Sequence, residues 1–296
     1  MAETAPQLRQ QPWLTIVGVG AAGPDSLSPA SQTALAEAEL VIGSARHLSL
    51  FPAITCPVIE WPVPFADGIA LLLTHRGRKV VMLASGDPFW FGAGSSVTRH
   101  LSRDEWVAHP TPSTFNLAAA RLGWALQDTV CLGLHAAPLE RTRPHLAPGA
   151  RLLVLVRDGA AVAALATYLR DLGFGASRLH VLEGLGGPDE RIRPAQADTL
   201  DVVDIAHPVA VAVECAGSGA VVPRASGLPD TLFDHDGQIT KRPIRALTLS
   251  ALAPRPGETL WDIGAGSGSI AIEWLLAHTA NRALAIEADA PRAERA

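Results

Sequence analysis

Short apolar runs alternate with segments of helical period through most of this chain. The apolar run 13–19 precedes a helical pattern at 30–38, and the apolar run 79–84 precedes another at 94–101. Runs of this length are typical of buried strands, and their regular alternation with helices is typical of α/β folds. Because the same alternation resumes at Arg151, we predict an α/β protein whose first part has two lobes.

Composition indicates a folded domain, since 48% of the 296 residues are hydrophobic and 18% are charged. The net charge of −5 offers no general attraction to phosphate backbones, so we expect no nucleic-acid partner. The three cysteines, Cys56, Cys131 and Cys215, lie far apart without metal-ligand spacing, which favours a reducing cytoplasm and no metal site. We also expect no export signal and no membrane span, because no apolar run reaches about 18 residues.

The alternation breaks between Ala216 and Gly237, where Gly, Pro, Ser and Asp dominate. Such residues turn often and bury little surface, so we place a linker at 217–237. We assign residues 1–12 to an N-terminal tail and 13–216 to the first domain. A separate α/β unit is expected over 238–296, opening with a helix and a strand.

The first glycine-rich loop, residues 18–23, has the GxGxxG spacing of a dinucleotide-binding turn. The next helix is delayed until Ser28 caps it and Pro29 enters its first turn, so a phosphate would not meet a helix end. The following strand, 40–43, ends without the carboxylate that would bind a ribose. Three interpretations stay open: a nucleotide site, an ordinary tight turn, and a substrate loop particular to one family.

Four further motifs follow in a fixed order. They are Val81–Gly92, in which a strand runs into a Gly-Asp-Pro turn, then Pro112–Asn116, Gly133–His135 and Leu182–Ile192. Together they resemble the class III tetrapyrrole methylases over about residues 13–216. The resemblance implies two α/β lobes with S-adenosylmethionine in the cleft between them, and it makes a homodimer an expectation.

The resemblance also assigns roles to individual residues, each with an ordinary structural alternative. It implies donor contacts from Gly86, Asp87, Ser113 and Thr114, and substrate contacts from Gly20, Gly23 and His135. Gly86 lets backbone approach a ligand and Asp87 offers a carboxylate, yet both also suit a simple turn. Ser113 is equally suited to capping a helix, and an isolated histidine such as His135 is often structural.

A second glycine-rich loop joins a predicted strand, 259–263, to a predicted helix, 269–277. It reads DxGxGxG and comprises Asp262, Gly264, Gly266 and Gly268. Such glycines let backbone pass close to a nucleoside, and Glu287 at the end of the next strand is placed to hold ribose hydroxyls. The pattern resembles the donor site of class I methyltransferases, in which Asp262 reaches the amino-acid end of the donor. An NAD site is the alternative, because an acid after the second strand serves either ribose.

The segment 239–245 resembles the one that introduces the decarboxylating corrin methylases, with Lys241 and Arg245 at matching, substrate-binding positions. Pro243 departs from that pattern, because the family usually has Glu there. A class III methylase followed by a class I methyltransferase resembles the precorrin-6Y C(5,15)-methyltransferase (decarboxylating) family. The resemblance implies methylation of meso carbons of a corrin precursor in cobalamin biosynthesis, with S-adenosylmethionine as donor.

Two features bear on how that activity would work here. The class I part shows only two strands, fewer than its fold requires, so we expect an incomplete second domain, as in a fragment, a split gene or a truncated chain, and loss of its decarboxylating activity. No catalytic residue is assigned, because methyl transfer from a sulfonium depends on geometry and water exclusion rather than acid–base groups.

Binding of a polycarboxylate substrate calls for local basic groups despite the acidic total charge. Three arginine pairs are candidates: Arg99 with Arg103, Arg141 with Arg143, and Arg191 with Arg193. Two other functions stay open. One is a class III enzyme acting on ribosomal RNA ribose or on a modified histidine, and the other is a non-catalytic protein that keeps a nucleoside cleft.

Overall fold

The computed structural model describes residues 12–295, so the expected tail lies outside this range except for Pro12. The described chain divides into two compact units. The first holds the residues up to Leu139 together with Pro148–Ser218, and the second holds Glu140–Ala147 together with the residues from Gly219 onward. The segment 140–147 thus belongs to the second unit, although the sequence pattern places it within the first domain.

One of the two five-stranded sheets of the first unit is entirely parallel. Its strands are β1 (Leu14–Val19), β2 (Leu40–Gly43), β3 (Val58–Glu60), β4 (Val80–Ser85) and β5 (Trp106–His109), in the order β3-β2-β4-β1-β5. The helices between them are α1 (Pro29–Ala36), α2 (Ala45–Ser49), α3 (Asp67–Leu73) and α4 (Ala93–Val97). Because all five strands run the same way, their carboxyl ends share one edge, where α/β folds bind ligands.

The second sheet of this unit is mixed. Its strands are β6 (Val130–Gly133), β7 (Arg151–Leu155), β8 (Arg178–Glu183), β9 (Arg191–Gln196) and β10 (Val209–Glu214), in the order β6-β7-β10-β8-β9. Only β6 and β7 pair in parallel, and the other neighbours are antiparallel. The helices are α5 (Thr114–Leu122) and α6 (Gly159–Asp171). The α/β class predicted from the sequence is confirmed, while the antiparallel pairing goes beyond what the alternation predicts.

Serine caps define where two helices of the first unit begin. The Ser28 hydroxyl accepts a hydrogen bond from the Ser31 amide at 3.2 Å, and Pro29 occupies the first turn of α1. The delayed helix predicted after the 18–23 loop is therefore confirmed, and this loop does not place a phosphate at a helix N-terminus. Ser113 caps α5 in the same way, accepting from the Asn116 amide at 3.2 Å.

The second unit contains a parallel pair of strands flanked by helices. Its elements are α7 (Arg242–Leu252), β11 (Thr259–Ile263), α8 (Ser269–Ala277), β12 (Arg282–Ile286) and α9 (Ala290–Ala293). The predicted bounds of β11 and α8 agree with the structure residue for residue. Pro243 lies in the first turn of α7, where a missing amide hydrogen costs nothing.

Three further features of the described residues concern membrane helices, metal ligands and cysteines. Between residues 12 and 295, no helix combines the length and the apolar character needed to cross a membrane. In the same range, no three His, Cys, Asp or Glu side chains converge as a metal ion would require. Cys56, Cys131 and Cys215 remain thiols, and burial raises the pKa of the Cys131 thiol to about 11.

Candidate active site

A cavity of about 570 Å³ lies within the first unit. One wall consists of residues that follow β1, β2, β3 and β4 at the carboxyl edge of the parallel sheet, and the opposite wall includes Leu155, Leu182 and Val209 from the second sheet. Its lining is mostly apolar, with few polar groups, and its volume lies within the roughly 300–1,000 Å³ of small-molecule and cofactor sites. The cavity therefore has the size and character of a site for a cofactor and part of a substrate.

Backbone contacts between strand ends shape one side of this cavity. The Gly86 amide donates to the Val19 carbonyl at 3.0 Å, and the Gly86 carbonyl accepts from the Thr111 amide at 3.2 Å. Gly86 has a φ of +52°, in the left-handed region that favours glycine. A side chain at Gly18 would lie 2.0 Å from the Gly86 carbonyl oxygen. Two glycines are thus required for β1 and β4 to end side by side.

Four of the seven residues assigned to this unit from the sequence line the cavity: Gly20, Gly86, Thr114 and His135. They come from four separate segments, namely the loops after β1 and β4, the start of α5, and the loop after β6. Their convergence brings the first glycine loop and the Gly-Asp-Pro turn to one site. Donor and substrate contacts at these four positions stay predictions.

The structure places the other three outside the cavity lining. Asp87 accepts a hydrogen bond from the Phe89 amide at 2.8 Å, as in a simple turn. The Ser113 hydroxyl is the helix cap described above and pairs with the Asn116 side chain at 2.6 Å. A side chain at Gly23 would meet Leu50. The contacts of Asp87 and Ser113 are those of a turn and of a helix cap, and the space beside Gly23 is taken by Leu50.

A basic cluster at the cavity was missed by the sequence analysis. Arg46 Nη2 lies 2.8 Å from both His47 Nε2 and Ser85 Oγ, and these last two atoms are 2.9 Å apart. Since Arg46 can only donate, His47 Nε2 accepts, and the imidazole proton is assigned to Nδ1. The available signal was an Arg-His pair placed directly after an apolar strand and a serine, at the ligand-binding edge of a parallel sheet.

Burial and the Arg46 charge keep His47 and His207 neutral. Desolvation, with a smaller contribution from the Arg46 charge, lowers the pKa of His47 to about 4. Desolvation and then Arg46 also lower the pKa of His207, which lines the same cavity, although Asp158 opposes this. Desolvation lowers the pKa of Arg46 itself. At neutral pH the cluster therefore carries its positive charge on the guanidinium.

We expect His47 to stay neutral well below pH 6, with its imidazole resonances titrating near pH 4. An unfolded histidine takes up its proton near pH 6.5, so this site favours unfolding as pH falls from about 6.5 to about 4 and contributes no further slope below that. NMR titration measures the pKa, and His47→Gln assigns the resonance. A midpoint near pH 6.5 would show that the ring is hydrated rather than buried.

The three arginine pairs proposed for substrate binding are not in the cavity. Arg191 and Arg193 instead donate to Glu183, a fully buried carboxylate, at 2.6 and 2.7 Å. Desolvation acts to raise the pKa of Glu183, but the Ala206 amide and the two guanidinium groups outweigh it, so its pKa is lowered. Arg191 and Arg193 therefore have a structural role, because burying a carboxylate without a positively charged partner is energetically unfavourable.

The other two pairs also lie elsewhere. Arg103 stacks on the Trp106 ring, with 4.3 Å between the guanidinium carbon and the ring centroid, and Arg99 is exposed. Arg141 and Arg143 belong to the second unit. The close spacing of two arginines in the sequence did not predict a substrate contact, because neighbouring charges on a surface segment need not face a cleft.

The second glycine loop has the backbone that its sequence predicts. Gly264, Gly266 and Gly268 have φ values of +77°, +60° and +66°, which strongly favour glycine. No heavy atom lies within 4 Å of a Cβ built on Gly264 or Gly266, so the loop faces open space. This arrangement permits a ligand to approach the backbone closely.

Both acids of the DxGxGxG pattern contact this loop region. Glu287 accepts from the Asp289 amide at 2.9 Å and the Gly266 amide at 2.7 Å, and these bonds lower its pKa. Asp262 accepts from the Ala271 amide at 3.2 Å, but desolvation outweighs that bond and raises its pKa. Donor binding at Asp262, the glycines and Glu287 stays a prediction.

Arg245 has a different role from the substrate contact expected of it. It is fully buried, and its Nε donates to Glu273 Oε1 at 2.5 Å while Nη2 donates to Asp230 at 3.0 Å. Its remaining contacts are the Thr240 and Leu228 carbonyls and the Phe233 ring. Arg245 therefore holds the second unit together and is not available to a substrate. Lys241 is exposed at the start of α7, and its substrate role stays a prediction.

Comparison with known proteins identifies the family. Residues 13–201 match the family model of the tetrapyrrole (corrin/porphyrin) methylases, and residues 231–296 match a precorrin methyltransferase domain. A precorrin-6Y C(5,15)-methyltransferase [decarboxylating] of Sinorhizobium sp is 49% identical over 288 residues, which cover 96% of this chain and 70% of that protein. The chain belongs to the precorrin-6Y C(5,15)-methyltransferase (decarboxylating) family. The resemblance inferred from the ordered motifs is thereby confirmed.

Other methylases also match this member of the precorrin-6Y methyltransferase family, each over about two thirds of its length. A cobalt-precorrin-7 C(5)-methyltransferase of Salmonella typhimurium is 27% identical over 193 residues, covering 64% of this chain and 94% of that protein. The precorrin-6Y methylase structure from Archaeoglobus fulgidus is 25% identical, with a TM-score of 0.53 over 69% of this chain and 98% of its own. Uroporphyrin-III C-methyltransferase from Thermus thermophilus, solved with S-adenosylhomocysteine, shares the fold at 22% identity, with a TM-score of 0.53 over 68% of this chain and 91% of its own.

Proposed function

We propose that this chain transfers a methyl group from S-adenosylmethionine to a carbon of a corrin precursor in cobalamin biosynthesis, and that the first unit carries the reaction. The observation that carries this proposal is the apolar cavity at the carboxyl edge of the parallel sheet, where Gly86 and Thr114 meet the first glycine loop. Methylation at C5 is the specific reaction we favour, because the Salmonella relative named for it aligns over nearly its whole length.

The residues present fit the donor. Gly86 has no side chain, and a Cβ there would lie 3.0 Å from the Ser113 Cα, so only glycine leaves this corner open. The bound donor supplies an electrophilic methyl group on a sulfonium, whose departure as a neutral thioether needs no general acid. Apolar residues such as Leu155, Leu182 and Val209 would exclude water and hold the acceptor carbon in place. The lowered pKa of His207 keeps its ring neutral at pH 7 and makes it a weaker base, so it contributes an uncharged polar group to the cavity.

We further propose a second donor site at the loop formed by Asp262, Gly264, Gly266, Gly268 and Glu287. The support is the open space around the glycines and the two carboxylates beside them. Three thiols support a reducing, cytoplasmic location, and the family resemblance supports a homodimer. A corrinoid is the proposed partner, and the acidic net charge argues against a nucleic-acid substrate such as ribosomal RNA.

Calorimetric titration with S-adenosylhomocysteine tests both sites by counting them. We expect two sites per chain in the unchanged protein, one in Gly86→Val and one in Gly266→Val. A side chain at Gly86 would meet the Ser113 backbone and displace this part of the cavity wall, whereas one at Gly266 would fill the open space beside the loop. Labelled methyl transfer to precorrin-7, for whose cobalt form the C5-specific relative is named, should be lost in Gly86→Val. No binding at all would reject a methyltransferase, and a single site that survives Gly86→Val would reject the assignment of the reaction to the first unit.

A further inference from the structure

The cavity of the first unit carries positive charge and no acidic side chain. Among its lining residues, all within the described range, Arg46 is the one Arg or Lys, and there is no Asp or Glu. Three histidines, His47, His135 and His207, complete its ionisable groups. Most half-buried arginines in this chain pair with a carboxylate, as Arg193 does with Glu183. Arg46 makes no ion pair with any residue between 12 and 295.

The guanidinium of Arg46 is held in place while part of it stays free to bind. Nη2 contacts His47 and Ser85, both within 2.9 Å. Within the described chain, Nε and Nη1 donate to no protein acceptor, although an arginine offers five N–H donors in a rigid fork. Both forked donor pairs of a guanidinium include Nη2, which His47 and Ser85 occupy, so Nη1 is the group that can donate a charge-assisted hydrogen bond to one oxygen of a carboxylate.

The surroundings of Arg46 are uncharged and partly shielded from water. His47 and His207 stay neutral at pH 7, so they provide polar contacts without adding charge that Arg46 would repel. Desolvation in the cavity strengthens a charge-assisted hydrogen bond relative to the same bond in water. The isolated Arg46 charge is therefore more favourable when an anion occupies the cavity than when it is empty.

An exposed apolar rim lies next to this charge. The segment that follows β3 contributes Trp61, Val63 and Phe65 to the same cavity, and the Trp61 and Phe65 rings stack with centroids 4.9 Å apart. Val63 is 94% exposed and Phe65 is 40% exposed. Because β2 and β3 are parallel neighbours, their carboxyl ends place Arg46 and this rim on one side of the cavity. A large apolar ring with carboxylates at its edge fits such a surface.

We propose that Arg46, positioned by His47 and Ser85, binds one peripheral carboxylate of the corrin substrate. The inference deepens the proposed function and rests on it. A carboxylate is also present on the amino-acid end of the donor, so the shared chemistry is a carboxylate bound by a guanidinium. The substrate is the source we commit to, because the exposed apolar rim beside Arg46 suits a macrocycle.

Replacement of Arg46 by glutamine tests this, with Arg170→Gln as the matched loss of one exposed positive charge outside the cavity. Equilibrium binding of precorrin-7, followed by tryptophan fluorescence without donor, should weaken roughly 10- to 100-fold in R46Q and less than about twofold in R170Q. The KM for precorrin-7 should rise by a similar factor, with kcat changed less. Arg46→Lys should recover only part of the affinity, because an ammonium lacks the planar guanidinium that contacts His47 and Ser85 while donating to the ligand.

Three outcomes would overturn the inference. They are unchanged precorrin-7 affinity in R46Q, an equal loss in R170Q, and a parallel loss of S-adenosylhomocysteine affinity in R46Q, which would assign the carboxylate to the donor. Absence of precorrin-7 binding by the unchanged protein would overturn it as well. If the unchanged protein binds precorrin-7 but transfers no methyl group, the proposed function fails while the binding comparison still decides the role of Arg46.

Discussion

Replacement of Glu273 by alanine is expected to unfold the second unit, at a cost of about 3–5 kcal/mol. The Glu273 carboxylate accepts from Arg245 Nε at 2.5 Å and from the Gly227 and Leu228 amides at 2.6 and 2.9 Å, all in a buried setting. Without it, a fully buried guanidinium keeps only the partly exposed Asp230 as a counter-charge, and two amides lose their acceptor. The loss should therefore exceed that of an ordinary surface ion pair.

Hydrogen exchange of α7 and α8 measures this effect directly, because both helices carry a partner of the ion pair. Glu258→Ala is the matched control, since Glu258 pairs with Arg255 at 3.0 Å and the Arg255 side chain is 82% exposed. That change should cost no more than about 1 kcal/mol. Equal protection of α7 in the Glu273→Ala and Glu258→Ala proteins would show that the buried ion pair does not stabilise this unit.

Replacement of Gly18 by alanine is expected to disrupt the cavity and to cost about 1–3 kcal/mol or more. The added methyl carbon would lie 2.0 Å from the Gly86 carbonyl oxygen and 2.7 Å from the Thr111 amide nitrogen. Both atoms are backbone, so the ends of β1, β4 and β5 must move apart for the methyl group to fit. Binding of S-adenosylhomocysteine in the first unit should fall at least roughly tenfold, because a shift of the reacting geometry by an ångström is costly.

Gly77→Ala is the control for Gly18→Ala. Gly77 has a φ of +85°, and nothing lies within 4 Å of a Cβ built there, so the change tests backbone strain without a clash. We expect a loss of roughly 1 kcal/mol in unfolding free energy and unchanged ligand binding. Calorimetric titration and denaturant unfolding of both proteins make the comparison. Full ligand affinity in Gly18→Ala would show that the strand ends can separate without damage to the site.

Local patterns predicted those parts of the molecule that depend on neighbours in sequence. The bounds of β11 and α8 agree with the structure because an apolar strand, a run of glycines and a helical pattern follow one another directly. Ser28 and Pro29 likewise predicted the delayed start of α1, since a cap acts within one turn. In each case, the interaction that decides the structure spans only a few residues.

Contacts between distant segments were beyond the reach of such patterns. Arg46 and Ser85 are 39 positions apart, and Arg245 and Glu273 are 28 apart, so neither pair has a local signature. Arg245 was predicted to face a substrate because its sequence position matched a family, yet burial converts it into a structural ion pair. Arg191 and Arg193 were likewise predicted to bind a substrate, because the sequence does not show that both pair with the buried Glu183.

The sequence by itself determined the α/β class, the family, the donor and the two glycine loops, because these follow from periodicity, turn chemistry and ordered motifs. Only the tertiary structure decided which charges face the cavity and which are buried as ion pairs. A side chain's charge is read from the sequence, but its partner depends on how the strands pair and which segments meet at their ends. That pairing brings Arg46 to an apolar cavity without a counter-charge, and it buries Arg245 against Glu273.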